Sequence, residues 1–155
     1  MFWRRKKQPQ PNQKPTALIV QTDGAMLADG SRIGLGVIVR NMQGKIIRWA
    51  SRQAPRMTNN EAEYAALCLA LELMVQEGIH TVHVYSDSKV MINQMRGYYQ
   101  IHSAPLKIWH QRACQLARRI PNVTYTHIRR ERNQLADALA NEALQPALPP
   151  ARRLP

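Results

Sequence analysis

Two apolar runs in this chain stop at an aspartate. Val82-His83-Val84-Tyr85 leads through Ser86 to Asp87, where a helical pattern begins, and Ala17-Leu18-Ile19-Val20-Gln21-Thr22 ends at Asp23-Gly24. Strands that end this way deliver carboxylates to the edge of a sheet where open α/β folds bind ligands. Either aspartate alone is as well explained by turn chemistry after a strand. Two such strands together place a pair of carboxylates side by side. A third acid points to the same place. Thr58-Asn59-Asn60-Glu61 fits a capping box, which gives Glu61 a structural task at a helix start. Glu63 instead heads the series Leu67, Ala70, Leu71, Met74, the buried stripe of that helix. A carboxylate there needs a partner, because burying it alone is costly. Facing the sheet from the first helical turn, it meets the strand ends that carry Asp23 and Asp87; the plainer alternative is an acid that only complements the helix dipole.

The elements that position these acids follow in order. After the strand ending at Asp23, a polar loop from Gly24 to Ser31 leads to a second strand, Ile33 to Arg40. Gly34 and Gly36 fall on one face of it, which predicts close approach of another backbone or of a ligand. Asn41-Met42-Gln43-Gly44 is a hairpin turn, and Lys45 to Ser51 returns antiparallel. The helix opened by Thr58 leads to the strand before Asp87. Ser88 to Arg96 reads as a short helix ended by Gly97, and Pro105 to Arg119 as a longer one. Val123 to Ile128 is the last strand, Arg129-Arg130-Glu131-Arg132 a basic loop, and Asn133 the cap of a closing helix from Gln134 to Leu144. In that helix Leu135, Ala136, Leu139, Ala140 and Ala143 form the packing face, with Asp137 at its border. Three strands, helix, strand, helices, strand, helix make an α/β fold with a five-stranded mixed sheet, its first and fourth strands parallel neighbours.

Composition sets the frame. The 155 residues suit one domain with its own core, and 22 basic against 10 acidic side chains leave a net charge of +12, which favours a polyanionic partner. Residues 1 to 16 read as a flexible basic arm, 17 to 145 as the folded domain, and 146 to 155 as a loose Pro-rich tail. The arm's Arg4, Arg5, Lys6 and Lys7 either touch phosphates or only aid solubility. Cys68 and Cys114 are too few for a disulfide framework, and His110 with Cys114 lacks the further ligands of a zinc site. No apolar run approaches the ~20 residues of a membrane span. Gln8-Pro9-Gln10-Pro11 stands where a signal peptide would turn apolar, so a cytoplasmic monomer without a membrane partner is expected.

Four segments carry a family resemblance. Thr22-Asp23-Gly24-Ala25, Thr58-Asn59-Asn60-Glu61-Ala62-Glu63-Tyr64, Ser86-Asp87-Ser88 and Ala136-Asp137-Ala138-Leu139-Ala140-Asn141-Glu142 resemble type 1 ribonuclease H, in the family's order over about 120 residues. Any one is weak; four in order are specific. The resemblance implies a ribonuclease H-like fold and four metal-binding catalytic acids, Asp23, Glu63, Asp87 and Asp137. It also implies nucleic-acid contacts from Asn59, Asn60 and Gly24 and from the loop arginines Arg129 and Arg130. The place of the two asparagines at a helix N-terminus suits a phosphate.

Four carboxylates this close repel one another and do not all ionise unless divalent cations lie between them. Two Mg²⁺ ions ~3.5–4 Å apart, with Mn²⁺ as a substitute, would clamp a scissile phosphate. By the resemblance Asp23 bridges both ions, Glu63 and Asp87 complete one shell, and Asp137 the other. The implied activity is endonucleolytic cleavage of the RNA strand of RNA–DNA hybrids, leaving 5′-phosphate and 3′-hydroxyl ends. Two departures stand out. The loop before the last helix lacks the family's assisting histidine, so Glu131 or a neighbouring arginine is expected to serve product release; His127 lies in the strand pattern and reads as structural. The basic helical protrusion of some bacterial members is absent, because Gly97-Tyr98-Tyr99-Gln100 runs almost directly into the next helix. The competing readings are a binding module of the same fold without catalysis, which four intact acids disfavour, and a relative acting on DNA, such as a resolvase or integrase, against which the Thr-Asn-Asn-x-x-Glu helix argues.

Overall fold

The computed structural model describes residues 16–146. The expected arm and tail lie outside these residues except at positions 16 and 146. The strands are β1 (Ala17–Met26), β2 (Arg32–Arg40), β3 (Ile46–Pro55), β4 (Thr81–Ser86) and β5 (Asn122–His127). The helices are α1 (Asn59–Glu77), α2 (Lys89–Met95), α3 (Ala104–Ala117) and α4 (Gln134–Glu142). The sheet order is β3-β2-β1-β4-β5, with β1–β2 and β2–β3 antiparallel and β1–β4 and β4–β5 parallel. This is the expected mixed sheet, including the parallel neighbours β1 and β4.

Helix α1 packs on one face of the sheet against β1 and β2, with α3 against its other side. Leu18 and Val20 of β1, Val37 and Val39 of β2, and Val82 and Val84 of β4 meet Leu67, Leu71 and Met74 of α1 in a core shut off from solvent. The single stripe expected on α1 is too narrow a description. Ala65, Ala66, Cys68 and Leu69 are buried as well, because the sheet covers one side of the helix and α3 another. Its N-terminus is the capping box read from Thr58 and Glu61, and it ends at Gly78, whose φ of 67° only glycine adopts without strain.

Helix α4 lies on the opposite face, over β2 and β1. Gly34 and Gly36 make this possible: a Cβ at Gly34 would stand 1.8 Å from the carbonyl oxygen of Ala140, and one at Gly36 2.1 Å from that of Ala136. The glycine alternation thus marks helix backbone resting on strand backbone. Leu135, expected in the packing face, is 48% exposed. Ala136 and Ala140 make the sheet contact, and only small residues allow the helix that near, so the contact stripe is narrower than helical spacing suggested.

Two strands run further than the sequence reading, and one loop gains a turn. β1 runs past Asp23 to Met26, because β2 continues to pair with it as far as Met26↔Ile33 after β4 has stopped at Thr22↔Ser86. β3 reaches Pro55 instead of Ser51, held by pairing as far as Arg32↔Pro55. The loop after β5 contains a 3₁₀ turn, Arg130–Arg132. Among the described residues no helix is long and apolar enough to cross a membrane.

Candidate active site

Four elements bring carboxylates to one pocket. Asp23 lies inside β1 and faces the α4 side, in register with Gly36. Asp87 follows the last residue of β4, one step beyond the Thr22↔Ser86 pair, which makes it the spatial neighbour of Asp23 across the parallel ladder. Glu63 stands one residue past the first turn of α1. That turn sits directly on Gly24, where a Cβ would stand 2.8 Å from the backbone of Ala62. The Gly24 backbone N–H favours the charged form of the Glu63 carboxylate, a smaller effect than burial. Gly24, expected as a nucleic-acid contact, lines the pocket and also lets α1 come close enough for Glu63 to reach the sheet edge.

Oxygens of Asp23, Glu63 and Asp87 all lie within 4.8 Å of one another. Asp137, from the first turn of α4, lines the same pocket and bears on the Asp23 carboxyl there. Burial, the neighbouring Asp137 carboxyl and the Asp87 charge push the Asp23 carboxyl up to about 7. Burial and the charge of Asp23 push Glu63 up to about 9. Both shifts favour the protonated forms. Glu63 is half-buried as a residue, yet its Oε2 is shielded from solvent and has no hydrogen-bond partner. Hard oxygen donors crowded at this distance, one of them buried and orphaned, fit divalent cations of the Mg²⁺ or Mn²⁺ kind.

The basic groups divide. Arg130 lines the pocket with its Nε 3.9 Å from Asp87 Oδ2, and its side chain is otherwise open to solvent. Asn59 lines the pocket at the start of α1. Asn60, Arg129 and Glu131 are exposed and are not among the pocket-lining residues. His127 closes β5, exposed, and also stands apart from the pocket. Asn141 was missed by the sequence reading: its Nδ2 donates to the Asp137 carbonyl at 2.9 Å and to Oδ1 at 3.3 Å. Its signal was the four-residue spacing from Asp137 on one helix face.

The expected cap of α4 is a correction. Asn133 makes no side-chain capping bond, and its φ of −115° and ψ of 20° are not those of an N-cap. Its Nδ2 donates instead to the Thr22 carbonyl at 2.9 Å, in a buried contact.

A family model described as reverse transcriptase-like matches residues 21–143. Ribonuclease HI of Halobacterium salinarum is 33% identical over 125 residues, 81% of this chain and 63% of that protein. A bifunctional protein of Mycobacterium tuberculosis is 33% identical over 132 residues, 84% of this chain and 36% of its own length. The chain therefore spans less than two thirds of the length of these curated relatives. Among solved structures, the ribonuclease H1 of Halobacterium salinarum superposes with a TM-score of 0.79 at 31% identity, over 83% of this chain and 97% of that one. A ribonuclease H1 in complex with an RNA/DNA hybrid superposes with a TM-score of 0.76 at 34% identity, over 81% and 95%. With a family model across most of its length and near-complete coverage of solved relatives, the chain belongs to the reverse transcriptase-like family and, within it, to the type 1 ribonucleases H.

Proposed function

We propose that this chain is a metal-dependent endoribonuclease that hydrolyses the RNA strand of RNA–DNA hybrids, leaving 5′-phosphate and 3′-hydroxyl ends. The observation that carries the proposal is the convergence of Asp23, Glu63 and Asp87 within 4.8 Å, with Asp137 lining the same pocket from α4. A binding module has no use for so many mutually repelling acids, two of which burial and neighbouring charge push toward the protonated form. The hybrid as substrate is supported by the solved relative in complex with one and by the net charge of +12.

In this proposal Asp23 would serve both of two Mg²⁺ ions, Glu63 and Asp87 would help to hold one and Asp137 the other, and Mn²⁺ would substitute. When bound, such ions activate water and offset charge at the scissile phosphate and the leaving 3′-oxygen. The chain's own groups orient the substrate. Asn59 stands where the free N–H groups of the α1 N-terminus meet a phosphate, and Arg130 offers a cation at the pocket rim beside Asp87. Arg129, Asn60 and Gly24 extend that contact. Glu131 serves product release, and the protein acts as a monomer in the cytoplasm.

The deciding experiment incubates the purified chain with labelled RNA–DNA hybrid, duplex RNA and duplex DNA, with Mg²⁺, with Mn²⁺ and with chelator. Cleavage confined to the RNA of the hybrid and abolished by chelator is the expected result. Equal cleavage of duplex DNA would give the site to another nucleic acid, and binding without cleavage would leave a scaffold module.

A further inference from the structure

Of the four acids, Asp137 alone is carried by the α4 side of the molecule, so its distance from Asp23 depends on how α4 and the turn before it are docked. Two side-chain amides hold that turn. Asn133 donates from Nδ2 to the Thr22 carbonyl at 2.9 Å, and Gln21 donates from Nε2 to the Arg132 carbonyl at 3.0 Å. The two adjacent residues of β1 just before Asp23 are thereby tied to the two adjacent residues just before α4. The chain of bonds continues to the site, because the Asn133 carbonyl accepts the backbone N–H of Asp137 at 3.1 Å. Gln21 is itself oriented, since its Oε1 accepts from Arg40 Nε at 2.7 Å, and Arg40 also donates to the Gly44 carbonyl.

The energetics single out the Asn133 amide. The residue is 1% exposed and its Oδ1 has no partner. A buried acceptor without a bond is costly, as is a helix start without a cap. An apolar residue would avoid the first penalty and a cap-forming serine the second. What the amide uniquely supplies is the donor to Thr22.

We propose that Asn133 and Gln21 are positioning residues whose amides fix Asp137 against Asp23 and Arg130 beside Asp87. Gly34 and Gly36 set how near α4 lies to the sheet, and the clamp sets where its first turn stands along β1. This inference rests on the proposed four-acid site. Groups that orient metal ligands in this way are worth about 10–100-fold in metal affinity or activity.

The test uses the full chain with Asn133→Ala and, separately, Gln21→Glu. The second keeps an acceptor for Arg40, whose guanidinium balances the new charge, and replaces the donor to the Arg132 carbonyl with an acceptor, so it breaks the clamp from the β1 side with Asn133 intact. Mn²⁺ binding is read by calorimetry without nucleic acid, beside Asp137→Asn as the reference for losing that ligand. The expected result is a 10–100-fold weakening of the ion event that Asp137→Asn also weakens, in variants that still melt cooperatively. On hybrid, kcat falls and the Mg²⁺ midpoint rises while KM for the hybrid moves by less than about threefold, and Asn133→Gln restores part of the loss. Lowered melting temperatures with unchanged Mn²⁺ affinities and unchanged kcat would overturn the inference, since a merely structural role predicts that pattern. If the parent chain cleaved no hybrid, the proposed function would fail, and the calorimetric arm would still decide the clamp.

Discussion

Glu61 and Glu63 stand two residues apart near the start of α1 and serve different parts of the molecule. Glu61 Oε1 accepts from the backbone N–H and the hydroxyl of Thr58, and its Oε2 accepts the indole N–H of Trp109 at 3.1 Å, which ties α3 to the start of α1. Glu63 turns into the acidic pocket. Glu63→Gln is therefore expected to lower hybrid cleavage by on the order of 10²–10³-fold, the scale of losing one electrostatic stabiliser. Glu61→Gln keeps one acceptor and presents a donor to the other partner, so it costs about 1 kcal/mol of stability with turnover nearly unchanged. Steady-state kinetics beside thermal melts check the pair; a reversed kinetic ranking would mean that the register of α1 is wrong.

The acids make stability depend on pH in the chelated protein. Glu63 and Asp23 are raised in the fold to about 9 and about 7, chiefly by burial. The folded site then binds more protons than the unfolded chain above the ordinary carboxylate range of ~4. Their stabilisation is complete below that range and is lost as pH rises through the folded values. Melts with EDTA between roughly pH 5 and 9 should show a falling melting temperature that is shallower in Glu63→Gln and flattened by Mg²⁺, which binds the ionised acids. Parallel curves for parent and variant would contradict the assigned cause.

Gly36→Ala tests the docking of α4. The added methyl would meet the Ala136 carbonyl at 2.1 Å, a backbone atom that cannot swing away. Destabilisation of about 1–3 kcal/mol is expected, as for other overpacked sites, together with lower activity because the displaced helix carries Asp137. Denaturant titration and hybrid cleavage measure both; a variant with unchanged stability would mean that β2 and α4 stand further apart.

The basic arm lies outside the described residues, and its prediction rests on charge alone. Each phosphate contact made by Arg4, Arg5, Lys6 or Lys7 adds up to ~0.9 to the salt slope of duplex binding. Deleting residues 1 to 14 should weaken hybrid affinity and flatten that slope with saturated turnover preserved. Superimposable slopes for the full and truncated chains would reduce the arm to a solubility aid.

What could be read from the sequence was what local chemistry decides. The Thr58–Glu61 capping box, the distinction between Glu61 and Glu63, and the alternating glycines of β2 each follow from spacing and steric size. The extension of β1 past Asp23 was hidden because it depends on how far β2 pairs, which is a property of the partner strand. Asn133 was misread as a cap because an amide before a helix has a local use, and here a tertiary acceptor, the Thr22 carbonyl, took it. Leu135 sits at packing spacing but falls outside the contact that Ala136 and Ala140 make with Gly36 and Gly34. Asp137 came from the family resemblance, since its own helix gave it no more than a border position.

Asp87→Asn tests the central claim most directly, because it removes one metal-binding charge at constant shape from a residue at the end of β4. The measurement is Mg²⁺-dependent cleavage of labelled hybrid beside hybrid binding in Ca²⁺. Loss of cleavage by on the order of 10²–10³-fold with binding nearly intact is the expected outcome. Near-parental cleavage by the variant would contradict the assignment of this carboxylate cluster as the catalytic metal site.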